Sequence, residues 1–243
     1  MSKRDDIYTA PEAHFGAFRF DTKVAEVFPD MIQRSVPGYE AILHCIGQLS
    51  ERYAQENSYC YDLGCSLGAG IAMMRASIAA PGVKIIGIDN SAAMLERCRK
   101  LLDDSPGPAV ELRNADLAEV IIENASLCLL NFTLQFVPKA QRDAVLRSIH
   151  RGMLSGGLLI LSEKLDFDDR AHGALMSDLH HDFKRMNGYS DLEIARKRDA
   201  LENVLIPETF DTHKQRLLAA GFDRVELWFQ CFNFASLLAF KHD

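Results

Sequence analysis

The sequence predicts an α/β fold with a seven-stranded, mostly parallel sheet that ends in an antiparallel hairpin. Short apolar runs alternate with helix-forming stretches over the first two thirds of the chain, which is the pattern of successive βαβ units. Two β-rich runs at residues 224–229 and 232–240 stand only two residues apart, so we expect them to pair as a hairpin. The length of 243 residues suits a single domain spanning residues 1–243.

The apolar runs set the order of the elements. A helix is expected at residues 39–53. Three further helices are expected: one from the glycine-rich turn through Met74, one that begins at Ser91 as its N-cap, and one that begins near residue 139. The five parallel strands are expected at residues 59–63, 83–88, 110–112, 127–130 and 158–161.

Beyond the fifth strand the alternation stops. Residues 166–203 are polar and helical in pattern, so they form a helical insertion. A helix at residues 207–220 follows, with Pro207 in its first turn and Gly221 as its C-terminal cap. Residues 1–37 contain few long periodic runs and are expected to form a segment that covers the site.

Composition narrows the class of protein. The net charge of −7 disfavours direct nucleic-acid binding, which usually needs a basic excess, although a local basic patch would escape this count. Six scattered cysteines contain no C-x-x-C pair, so we expect free thiols in a reducing cytoplasm and no metal. The N-terminus leads into no apolar signal region, and no apolar run approaches the ~20 residues of a membrane span.

A glycine-rich turn follows the first predicted strand. Residues 62–68 read Asp-Leu-Gly-Cys-Ser-Leu-Gly, so Gly64, Cys65 and Ser66 would bring the backbone close to a ligand at the start of a helix. An ordinary βα turn is the alternative. Asp89 and Asn90 end the second strand about 25 residues later, where an acid can accept the ribose hydroxyls of a nucleotide; these two residues could instead cap the next helix.

The turn and the acid together predict a nucleotide site. Nicotinamide cofactors and S-adenosylmethionine (SAM) both use this arrangement. The terminal hairpin and the lack of a second nucleotide-binding half favour SAM. The layout is therefore that of the Rossmann-like class I SAM-dependent methyltransferase fold, with a helical insertion after strand 5.

Two further strand ends supply candidate ligand contacts. Asp116 and Leu117 follow the third strand, where an acid of this fold meets the adenine amino group; a solvated loop aspartate is the alternative. Asn131 ends the fourth strand, near the reacting centre of the ligand. The following Phe132 and Thr133 do not give the Asp/Asn-Pro-Pro-Tyr/Phe run of amino-group methylases.

The insertion contains a cationic run, Arg196-Lys197-Arg198. Successive helical residues point about 100° apart, so at most one of the three would face a pocket, and a solvated cationic face is the alternative. The adjacent histidines His180 and His181 diverge on a helix and have no third ligand at suitable spacing, which argues against a metal site.

Beyond these motifs, nearly the whole chain resembles one family, the carboxy-S-adenosyl-L-methionine synthases. The stretches that carry the resemblance are residues 27–39 (VFPDMIQRSVPGY), 61–68 (YDLGCSLG), 130–136 (LNFTLQF), 180–185 (HHDFKR) and 227–234 (LWFQCFNF).

The resemblance implies an activity that composition and spacing do not. Such enzymes, which are carboxyl transferases of the one-carbon group class, convert SAM and prephenate to carboxy-SAM and phenylpyruvate. They are homodimers, and a second enzyme then transfers the carboxymethyl group to a tRNA wobble uridine. The ligand-binding positions that carry over are Tyr39, Gly64, Cys65, Ser66, Asp89, Asn90, Asp116, Leu117, Asn131 and Arg198.

Two of these positions are also expected to act in the chemistry. The product carries one more negative charge than SAM, and a dry cavity makes an unpaired carboxylate costly. The Arg198 guanidinium would pair with that carboxylate in a bidentate manner, and Tyr39 would add a hydroxyl donor. Two other readings stay open: a conventional methyltransferase for a small molecule or tRNA, and a catalytically silent SAM-binding subunit of another enzyme.

Overall fold

The computed structural model describes residues 3–9, 17–102 and 106–242. The helices are α1 (Thr22–Ser35), α2 (Tyr39–Tyr53), α3 (Ala69–Ser77), α4 (Ala92–Leu102), α5 (Lys139–Gly152), α6 (Arg170–Met186), α7 (Asp191–Leu201) and α8 (Phe210–Ala220). The strands are β1 (Tyr59–Leu63), β2 (Lys84–Asp89), β3 (Ala109–Asn114), β4 (Ala125–Asn131), β5 (Met153–Asp166), β6 (Glu208–Thr209), β7 (Arg224–Cys231) and β8 (Phe234–Phe240).

The main sheet has the order β3-β2-β1-β4-β5-β8-β7. Strands β1 to β5 are parallel, and β8 and β7 follow as an antiparallel pair, which confirms the predicted class and the seven strands of the main sheet. The short β6 pairs with the end of β5 and adds an eighth strand. Chain order reverses on the two sides of β1, and ligands of open α/β sheets bind at such a reversal, beyond the carboxyl ends of the strands.

Helices cover both faces of the sheet. One core cluster joins α2, α3 and α4 to one face, with Ile46, Ile71 and Leu95 among its buried members. The other joins α5 and α8 to the opposite face through Leu146 and Leu217. The two clusters bury most of β1, β2 and β4, while the edge strand β3 stays partly exposed.

The insertion lies where the sequence places it, between β5 and β6. It consists of α6 and α7. A capping box starts α7: the Ser190 hydroxyl accepts a hydrogen bond from the Glu193 backbone N–H, and the Glu193 carboxylate accepts one from the Ser190 N–H. This local signal fixes where α7 begins, close to the cationic run.

Four sequence expectations are wrong in detail. Helix α1 lies in the N-terminal segment where few periodic runs were seen and no helix was expected, and it contains Pro29. Strand β5 runs well past both predicted ends. Pro207 precedes β6 rather than starting a helix, since the Thr209 side chain caps α8. The hairpin turn lies at residues 232–233, two residues later than expected. Within the described residues, no helix is long and apolar enough to cross a bilayer.

Candidate functional site

A cavity of about 560 Å³ opens beyond the carboxyl ends of β1, β2 and β4. Residues from α1 and α2 form one wall, and residues from α6 and α7 form another. Phe18, Phe20 and Phe28 from the N-terminal segment line it as well; residues 1–2 and 10–16 of that segment are outside the described residues. Nine of the ten predicted binding residues line this cavity: Tyr39, Gly64, Cys65, Ser66, Asp89, Asn90, Asp116, Leu117 and Asn131.

The turn after β1 is held tightly against β2. The backbone N–H groups of Gly64 and Cys65 both donate to the Ile88 carbonyl, at 2.7 and 2.9 Å. Gly64 has a φ of 82°, and a Cβ there would lie 2.9 Å from the Thr133 Cβ. Ser66 has a φ of 50°, a left-handed conformation that is uncommon for a residue with a side chain. The Gly64 position therefore has no room for a side chain, and the backbone turns tightly beside the cavity.

Asp89 connects this turn to the end of β2. One carboxylate oxygen accepts the Ser66 N–H at 2.8 Å, and the other accepts the Ser91 N–H at 2.8 Å. Each oxygen keeps capacity for a second hydrogen bond, so the carboxylate can still accept from a ligand hydroxyl. Burial raises the pKa of Asp89, and its two backbone hydrogen bonds oppose that rise.

Asp62 is a second carboxyl group at the cavity, which the sequence analysis treated only as the start of the turn. It is 3% exposed, and its pKa is raised to about 7, first by burial and then by the charge of Asp89. A cationic ligand beside this pair would stabilise the ionised form of Asp62. SAM carries two such groups, the sulfonium and the α-amino group.

The end of β4 contributes an unsatisfied polar atom. The Asn131 Oδ1 is buried and has no hydrogen-bond partner in the described structure, although Asn131 lines the cavity. Phe132 follows with a φ of 60°, a strained conformation that tends to occur at functional sites. A buried polar atom without a partner is costly, so this one fits a donor supplied by a ligand.

Tyr39, at the start of α2, and Asp116, just after β3, both line the cavity. The Tyr39 ring lies 6.4 Å from the Phe132 ring, and burial, followed by the charge of Asp62, raises the pKa of its hydroxyl. Tyr39 is therefore a neutral hydrogen-bond donor. Asp116 is exposed at the rim, where its carboxylate accepts the Ala118 N–H at 2.9 Å and caps a short 3₁₀ helix.

Within one chain, Arg198 does not line the cavity. Its side chain is 66% exposed and pairs with Asp199 at 3.2 Å. The neighbouring Lys197 is 5% exposed and lines the cavity instead. Helical geometry lets at most one cation of the run face inward, and Lys197 holds that position in the structure.

Three more cavity residues were missed by the sequence analysis: Lys164 on β5, and His180 and Lys184 on α6. The spacing of four residues between His180 and Lys184 was the available signal, because it places both on one helix face. The pKa of His180 is lowered to about 2 by burial and by the charges of Lys184 and Lys164. His180 is therefore neutral, and its Nε2 donates to the Ser35 carbonyl at 2.8 Å. No cluster of three or more His, Cys, Asp or Glu side chains in the described ranges could hold a metal ion.

The chain is similar to known proteins along nearly its whole length. Residues 61–157 match the family model of a methyltransferase domain. Over 242 residues the chain is 54% identical to the carboxy-S-adenosyl-L-methionine synthase of Klebsiella pneumoniae (strain 342), with 99% of this chain and 98% of the relative covered. It is 57% identical over 241 residues to the protein of the same name from Citrifermentans bemidjiense, with 98% and 99% covered.

The chain belongs to the carboxy-S-adenosyl-L-methionine synthase family. The predicted resemblance is confirmed, and so are SAM as substrate and carboxy-SAM as product. The orphaned Asn131 oxygen and the bare turn at Gly64 fit such a nucleotide.

Solved structures support the fold alone. Human N-acetylserotonin methyltransferase, in complex with SAM, aligns with a TM-score of 0.62 and 16% identity, covering 91% of this chain and 56% of that one. Magnesium protoporphyrin IX methyltransferase from Synechocystis aligns with a TM-score of 0.58 and 14% identity, covering 87% of each chain.

Proposed function

We propose that this protein is a carboxyl transferase that converts SAM and prephenate to carboxy-SAM and phenylpyruvate. The observation that carries the proposal is the match over nearly the whole chain to relatives named carboxy-S-adenosyl-L-methionine synthase. A cavity that is lined by both carboxyl groups and lysines supports it, because the reaction needs a cationic nucleotide and an anionic co-substrate together.

The atoms balance as follows. Prephenate loses carbon dioxide and its ring hydroxyl, which leaves the aromatic phenylpyruvate. The sulfonium acidifies the SAM methyl group, and one of its protons joins the departing hydroxyl to form water. The resulting ylide carbon attacks the carbon dioxide and forms the carboxymethyl group. The chain's part is to exclude water and hold the two substrates, since no protein base is needed for this balance.

The chain's own residues have separate tasks in this proposal. The Asp89 carboxylate accepts hydrogen bonds from the ribose hydroxyls, and Asp116, at the rim of the cavity, faces the adenine. Asn131 and Tyr39 lie beside the methionine end, where Tyr39 supplies a neutral donor. Carboxy-SAM then serves as donor for a separate enzyme that modifies a tRNA wobble uridine.

The predicted role of Arg198 also enters as a proposal. Because its guanidinium points to solvent while Lys197 occupies the cavity of the same chain, Arg198 suits the cavity of a second copy in a homodimer. Bidentate pairing with the new carboxylate would then favour carboxy-SAM over SAM.

Mass spectrometry tests the reaction. The protein is incubated with SAM and prephenate, and the nucleoside product should gain the mass of one carbon dioxide while phenylpyruvate accumulates. A methylated acceptor, or unchanged SAM at saturating prephenate, would reject the reaction.

Mixed dimers test the position of Arg198. Arg198→Ala and Asp89→Ala chains should each be inactive, and their co-expression should restore part of the activity. No recovery in isolated mixed dimers would show that Arg198 does not act across two chains.

A further inference from the structure

Three lysines from three separate elements line the cavity. Lys164 comes from β5, Lys184 from α6 and Lys197 from α7. Lys184 is 8% exposed and Lys197 is 5% exposed. We call Lys164, Lys184 and Lys197 the lysine cluster.

Within the described part of the chain, Lys197 alone of these three has a counter-charge within hydrogen-bonding range. The Lys197 Nζ donates to the Ser35 hydroxyl at 3.0 Å and lies 3.4 Å from the Asp5 carboxylate. Among the described residues, neither Lys164 nor Lys184 makes a hydrogen bond or ion pair through its amine. The charge of Asp166 raises the pKa of Lys164 against the effect of burial.

Holding these amines together with few counter-charges costs free energy in the ligand-free protein. Burial, then the charges of Lys197 and Lys164, lowers the pKa of Lys184 to about 7. Burial likewise lowers the pKa of Lys164. Buried cations are normally paired, and groups with perturbed pKa values that face a cavity are commonly functional. An anionic ligand group would supply the missing partner.

A row of rings connects this cluster to the nucleotide end. The Tyr39 and Phe132 rings lie 6.4 Å apart, and the Phe132 and Phe234 rings lie 5.8 Å apart. The His180 ring follows at 4.8 Å from Phe234, and Phe234 pairs with Lys164 across β8 and β5. An unsaturated apolar body could therefore lie between the nucleotide residues and the amines.

From this geometry we infer that Lys164 and Lys184 form a second subsite, which binds a carboxylate of the anionic co-substrate while its ring packs along Phe132 and Phe234. The inference rests on the proposed function for the identity of that co-substrate. Lys197 supports the site indirectly, because Asp5 and Ser35 already hold its amine.

The test separates binding at the two ends of the cavity. Calorimetry measures prephenate binding to protein saturated with S-adenosylhomocysteine, and S-adenosylhomocysteine binding alone. Lys184→Met and Lys164→Met should each weaken prephenate binding by about ten- to a hundredfold, the usual worth of a charge-assisted hydrogen bond. Nucleotide affinity should change by less than about threefold.

Three controls guard the interpretation. Lys184→Arg keeps the charge and should retain most of the prephenate affinity. Lys100→Met removes an exposed lysine of α4 outside the cavity and should leave the affinity for both ligands unchanged. Retained nucleotide binding shows that each methionine variant is folded.

The outcomes distinguish this inference from the reaction itself. If prephenate affinity is unchanged in Lys184→Met and Lys164→Met, or if both ligands weaken equally, the subsite is refuted even when wild-type protein makes carboxy-SAM. If the variants lose prephenate binding but wild type makes no carboxy-SAM, the subsite stands and the proposed reaction falls.

Discussion

Replacing Gly64 by alanine tests the turn that faces the nucleotide. The φ of 82° puts any side chain in the left-handed region, which costs roughly 1–2 kcal/mol for an L-residue. The new Cβ would also lie 2.9 Å from the Thr133 Cβ, and nearer still to its Oγ1 and Cγ2. Overpacking of that kind costs about 1–3 kcal/mol, so the free energy of unfolding should fall by about 2–5 kcal/mol.

Urea denaturation measures this loss, and a second substitution divides it into its two causes. Thr133→Gly in the Gly64→Ala background removes the clash but keeps the backbone strain, so it should recover part of the loss. Gly173→Ala is the matched control, because among the described residues its Cβ would meet Phe167 alone, at 3.7 Å. This substitution favours helix formation in α6, so the free energy of unfolding should rise by up to about 1 kcal/mol. A loss below about 1 kcal/mol for Gly64→Ala, or no recovery in the double variant, would refute the reasoning.

Two further predictions concern buried charge. Asp62 has a folded pKa of about 7, above its unfolded value, so its contribution to stability is greatest at low pH and is lost as pH rises from about 4 to about 7. Across that pH range, the free energy of unfolding measured in urea should decline more steeply for wild type than for Asp62→Asn. Parallel curves for the two proteins would contradict this prediction. Glu208 accepts hydrogen bonds from Arg142, which is fully buried, and from Arg216. Glu208→Gln should lower the free energy of unfolding by about 3–5 kcal/mol, and a change under 1 kcal/mol would show that the network contributes little.

The nucleotide end of the site could be predicted from sequence because its signals are local. A strand, a glycine turn and an acid at the next strand end identify Gly64, Ser66 and Asp89, whatever packs elsewhere. Parallel strands carry these residues to one edge of the sheet. The structure adds how Asp89 holds the turn, through the Ser66 N–H, and that Asp62 is a second buried carboxyl group at the cavity.

The cationic end could not be predicted in the same way. Lys197 and Arg198 are neighbours on α7, and the sequence does not show how that helix is rotated against the sheet. Lys164 sits in a long β5 that was expected to end at residue 161. Its meeting with Lys184 depends on packing between elements distant in the sequence. Helix α1 was not expected either, because few periodic runs were seen in the N-terminal segment.

The contacts of Asp5 connect the start of the described chain to distant parts of the sequence. Its carboxylate accepts a hydrogen bond from the Tyr189 hydroxyl and pairs with Lys197, and its partners lie 184 and 192 positions further along the chain. Its backbone N–H also donates to the Asp30 carboxylate of α1 at 2.7 Å, only 25 positions away. Asp5 therefore joins the start of the described chain to α1 through a short loop and to α7 through a long one, and closing the long loop costs more entropy. A substitution at Asp5 should consequently disturb the α7 wall of the cavity, although the two are far apart in the sequence.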